Sequence, residues 1–174
     1  MFGRKRNNPS KISVEDVEHV LGVSLSQRSN ILNYGEISKP NIFAGTVIGR
    51  AFVEDKLKLS DECDFIVMFF AKSVLAEKGI EPDVIEAAQK AMFNNLGEPE
   101  SGTAEDYQKR YNQRIADYEA AADMEDVALR WLKNIAVRPL NNREVEACKL
   151  LAKQLTDIKK YMTRGIEAEL KASR

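Results

Sequence analysis

The sequence predicts an all-α fold, and three observations carry that prediction. Apolar residues recur at helical spacing along most of the chain, and capping residues stand ahead of those runs with glycine or proline behind them. Glycine and proline number only nine and five in 174 residues, and 44% of the chain is apolar, which argues against disorder. The expected arrangement is a helical body over residues 1–97 around a buried central helix. A long antiparallel hairpin of coiled-coil type is expected to follow, over residues 103–174.

Taken in order, Ser13 is placed to cap a short helix from about Ile12 to Leu21, with Glu15 and Asp16 in the first turn and Val14, Val17 and Leu21 on one face. Gly22 ends it. Ser24 then caps a second short helix through Asn33, carrying Leu25, Ile31 and Leu32, until Tyr34-Gly35 breaks it. Residues 37–58 are ambiguous, since Pro40 suits a helix start while Thr46-Val47-Ile48 suits a strand; with no second strand to pair with, helix is the reading.

Ser60 is read as the cap of the central helix, with Asp61 and Glu62 in its first turn and Lys78-Gly79 at its close. Cys63, Phe65–Phe70, Val74 and Leu75 leave it almost no polar face, and a helix apolar all round is a buried one. Pro82 opens the next helix, whose stripe is Val84, Ile85, Ala88, Met92, Phe93 and Leu96, stopped by Gly97. Glu98–Gly102 reads as a linker.

The last segment shows two seams at alternating steps of four and three. One runs Tyr111, Ile115, Tyr118, Ala122 and, after a miss at Glu125, Leu129 and Leu132; the other runs Cys148, Leu151, Leu155, Ile158 and Met162. Between them, Pro139 cannot continue a helix, and Asn141-Asn142 suit a turn and a new cap. A seam of this kind is a contact device. A second stripe, Met124, Val127, Trp131 and Ile135, offers further surface, to the chain's own body or to another copy.

The net charge of −1 conceals a partition of +3 over residues 1–60, −10 over 61–126 and +6 over 127–174. Complementarity between an acidic first arm and a basic second arm accounts for much of it. Cys63 and Cys148 stand far apart and in no metal or disulfide spacing, which points to a reducing, cytoplasmic setting. The longest apolar run, Phe65–Ala71, is too short to span a membrane, and the basic start has no apolar stretch after it of the kind that a signal peptide needs. Arg4, Lys5, Arg6 and Lys11, with Met1 and Phe2, are read as a solvated start rather than a membrane anchor.

The run Leu21-Gly22-Val23-Ser24-Leu25-Ser26-Gln27-Arg28-Ser29-Asn30-Ile31-Leu32-Asn33 resembles the turn and second helix of the helix-turn-helix of bacterial and phage repressors. That resemblance, over residues 14–33, implies that Ser26, Gln27 and Asn30 would face the major groove and that Arg4, Lys5 and Arg6 would touch phosphates. The pattern departs at Glu18 and Arg28, where the motif holds a small residue and a buried aliphatic. In layout alone the chain is also similar to the small DNA-packaging subunits of tailed phages, which join such a motif to an oligomerisation hairpin.

No catalytic residue, cofactor or metal ligand is assigned. His19 is the only histidine, and the carboxylates from Asp117 to Asp126 read as a solvated helix face. Tyr107, Tyr111 and Tyr118 could form a stacking platform, but the last two fall in the seam. The expected function is therefore a non-enzymatic interaction or assembly protein, an adaptor or structural component, bound to a protein partner or to copies of itself. Its interface or packing groups are Tyr111, Ile115, Tyr118, Leu129, Trp131, Leu132, Leu151, Leu155, Ile158 and Met162. The alternative is a DNA-binding protein, with nucleic acid held by the first 33 residues and the hairpin as oligomerisation domain.

Overall fold

The structure is a computed structural model that describes residues 12–26, 56–95 and 103–173. Among these are six helices and no strand: α1 (Val14–Leu25), α2 (Lys56–Glu77), α3 (Pro82–Asn95), α4 (Ala104–Glu119), α5 (Met124–Ile135) and α6 (Asn142–Ala172). The all-α class is as predicted.

α2 is the centre. Phe65, Ile66, Val67, Met68, Phe70, Ala71, Val74 and Leu75 are all buried, and every other helix packs against it. Its side chains therefore need apolar neighbours in all directions. It closes as its sequence requires: Gly79 takes φ +77°, its N–H bonds the Ala76 carbonyl at 2.9 Å and the Ile80 N–H bonds that of Leu75 at 3.1 Å. This paired bonding is the Schellman arrangement, which a residue without Cβ enters at least cost. Its start differs from expectation. Ser60 lies inside the helix rather than capping it, and Asp61 and Glu62 are buried beyond the first turn.

α1 also departs from the sequence reading. Ser13 caps it in a full capping box with Asp16, but Gly22 does not end it, and the helix continues to Leu25. Ser24 is not a second cap. It is buried in the last turn, its hydroxyl donating 2.7 Å to the Val20 carbonyl, while Ser26 is the C-cap. The apolar face Val17, Val20 and Leu21 continues inward past the glycine, and burial holds the helix together there. The rest of the second short helix, residues 37–55, the linker at 98–102 and the arm Arg4, Lys5 and Arg6 lie outside the described residues.

The C-terminal segment is three helices, not two. α4 stops at Glu119, and Asp123 caps α5 by accepting from the Asp126 N–H at 2.9 Å, while Asp126 accepts from the Ala122 N–H at 3.1 Å. Arg130 braces the corner, reaching the Asp117 carboxylate at 2.7 Å and its carbonyl at 3.1 Å. α5 and α6 pack closely on each other, but α4 packs chiefly on α2. Asn141 caps α6 in a second box with Glu144, whose carboxylate takes both terminal nitrogens of Arg138, at 2.6 and 2.9 Å. Buried residues from both sides of the linker form one core cluster.

Candidate functional site

The ten seam and stripe residues expected at an interface are placed inside the molecule. Tyr111, Ile115, Tyr118, Trp131, Leu132, Leu151, Leu155 and Met162 are buried, and Leu129 and Ile158 are half-buried against the same core. They do not face one another as two continuous seams. Tyr111 turns its ring edge toward Phe93 and Phe65, at centroid distances of 4.9 and 5.9 Å, and Tyr118 packs on Phe69 at 5.5 Å. Trp131 meets the chain's own body, its Nε1–H donating 3.0 Å to the Glu62 carbonyl.

A buried polar cluster joins α2 to α4. Arg110 lies 2.7 Å from Asp61 and Arg114 2.7 Å from Glu62; Tyr118 donates to Glu62 and Tyr107 to Asp64, both at 3.2 Å. Burial holds the Tyr118 hydroxyl, and that of Tyr111 nearby on α4, well above the ordinary phenol value, with the Glu62 charge adding to the effect at Tyr118 and that of Glu119 at Tyr111. Both stay neutral: Tyr118 donates to Glu62, and Tyr111 accepts from Gln89. The charge complementarity expected between the two arms is instead directed at α2: no ion pair among the described residues joins α4 to α6, whereas Lys159 of α6 pairs with Glu77 at 2.8 Å, Glu167 pairs with Lys78, and Lys72 of α2 pairs with Glu119 at 2.6 Å. The cluster fixes helices in place; in the sequence alone it is hidden, because Asp61 and Glu62 have the pattern of ordinary first-turn acids.

A hollow of about 310 Å³ lies between α2, α3 and α4. Its buried polar lining is satisfied internally, with Gln89 donating 2.6 Å to the Tyr111 hydroxyl. His19 is exposed, 3.4 Å from Glu169. Of the residues that the repressor resemblance singles out, Gln27 and Asn30 lie outside the described residues.

No family model, curated protein or solved structure matches the chain. Function must therefore be argued from the surface.

Two features of that surface stand out. At the turn between α5 and α6, Val137 and Val145 are 55% and 46% exposed beside a hollow of about 610 Å³ lined also by Leu129, Ala136, Pro139 and Leu140 and by the cations Lys133 and Arg138. Along the outside of α6, Lys149, Lys153, Lys160, Arg164 and Lys171 are all exposed, and Tyr161 is 62% exposed. The basic character of this helix was visible in the sequence. Which of its cations face outward required the packing.

Proposed function

We propose that the protein is a non-enzymatic α-helical interaction protein that associates with a second copy of itself through the turn end of α5 and α6. The observation that supports this is the grouping of two exposed aliphatic side chains, Val137 and Val145, around one hollow whose lining is mostly apolar, with Lys133 and Arg138 at it. Single exposed aliphatics are ordinary, but a group about one concavity marks a contact surface. The seams themselves are spent on the molecule's own core, so association uses the outside of the helix pair. Cys63 and Cys148 are buried thiols, which fits a reducing, cytoplasmic setting.

Light scattering on a sizing column tests the reading. A mass above the 19.6 kDa of one chain is expected to rise with concentration, and Val137→Asp with Val145→Asp is expected to return it to one chain while leaving helicity unchanged, since both side chains are exposed. A single-chain mass at every attainable concentration would sink self-association.

A further inference from the structure

From the outer face of α6 we infer a second surface, one that binds the phosphate backbone of double-stranded nucleic acid. Lys149, Lys153, Lys160, Arg164 and Lys171 follow one another at steps of four, seven, four and seven residues. At 100° per residue these steps keep all five within an arc of about 60°, and at 1.5 Å per residue the row is about 33 Å long. It is a straight line of charge on a 31-residue helix whose opposite side is anchored in the core by Leu151, Leu155, Met162, Ile166 and Leu170.

The row is distinct from the cations that hold the fold. Lys159 ties α6 to α2 through Glu77 from outside the arc of the row, and Lys78 does so through Glu167, an acid that lies within that arc. Lys149, Lys153, Arg164 and Lys171 enter no ion pair with the described residues, and Lys160 has only Asp157, one turn away at 3.8 Å. Glu146, Asp157 and Glu167 share the face and leave it with a net charge of +2, counting the five cations against these three acids.

Three comparisons favour a duplex. Its backbone presents one negative charge per about 1.7 Å of axis and repeats in about 34–36 Å, so a rigid row of this length runs beside roughly one turn. A protein interface needs a desolvated apolar centre, whereas between Lys149 and Lys171 only Leu150 and Tyr161 are large exposed apolar side chains. A lipid surface takes up a helix by its apolar face, and that of α6 is already buried. Single strands are gripped by successive aromatic platforms, and this face offers one.

Fluorescence anisotropy with the full chain and a labelled random-sequence DNA duplex, titrated across salt, tests the inference. Binding is expected at about 50 mM salt, with log K falling against log salt at a slope of about −4.5 if all five cations reach phosphates. Lys153→Ala with Lys160→Ala should weaken binding and flatten the slope by about 2, equally on unrelated sequences, while Asp157→Asn should tighten it. Thermal melts of these exposed-site variants confirm that the fold is kept. Absence of binding at low salt, an unchanged slope in the double variant, tighter binding to a single strand, or equal competition by vesicles of anionic phospholipid would each overturn the assignment. The inference does not depend on self-association: the mass of the free protein in the same buffer separates failure of one from failure of the other.

Discussion

Tyr111 and Tyr118 illustrate how single residues serve two purposes here. Both bury an aromatic ring in the core and carry a hydroxyl that finds a partner, Gln89 for one and Glu62 for the other, as buried tyrosines generally must. Because burial raises both phenols, the folded state keeps its protons where the unfolded chain loses them. Their contribution to stability is complete below the ordinary value of 10 and is lost as pH rises above it. An alkaline titration followed by tyrosinate absorbance and circular dichroism should therefore show both groups ionising only together with loss of helix; ionisation ahead of unfolding would contradict their burial. The heptad positions of these tyrosines were legible in the sequence, but their partners were not, since Gln89 and Glu62 lie 22 and 56 residues away.

At the scale of the element, caps were read well and interruptions poorly. Ser13, Asn141 and the Gly79 stop act as their local chemistry predicts, because each satisfies orphan backbone groups within a few residues. Gly22 misled, since a glycine tolerated inside a helix and a glycine that ends one look alike until the packing of neighbouring turns is known. The structure makes the two glycines separable. Gly22 is helical with nothing within 4 Å of an added Cβ, so Gly22→Ala should stabilise by roughly 0.5–1 kcal/mol, whereas Gly79→Ala, at φ +77°, should destabilise by about 1 kcal/mol. Chemical denaturation of both variants checks this, and a destabilising Gly22→Ala would restore a turn at that position. The break at residues 120–123 had a signal that the seam obscured: Asp123 followed by Glu125 and Asp126 is the same cap-and-acid order as at Ser13.

At the scale of the whole molecule, helices far apart in sequence are joined by carboxylates paired with cations, and this sets the response to acid. Lys159 lowers Glu77 and Lys78 lowers Glu167, while within the chain's corners the Ser13 N–H lowers Asp16 and Arg130 lowers Asp126. A depressed carboxyl stabilises the fold above its unfolded value, here 3.8 for the aspartates and 4.5 for the glutamates, and loses that stabilisation as pH falls through its folded value. The melting temperature should thus hold steady from neutrality to about pH 5 and decline below it, less steeply in Lys78→Met, which removes one of these pairs. A melting temperature flat to pH 3 would contradict the pairings. The sequence by itself determined the helical class, the central buried helix, the main caps and the turn before α6, because each follows from periodicity and backbone chemistry within a few residues. Only the tertiary structure decided that α4 swings onto α2, that the seams face the chain's own core, and that one row of cations on α6 is left to solvent. Those outcomes depend on which faces meet across long stretches of chain, and a heptad pattern states that a face must be covered without stating by what.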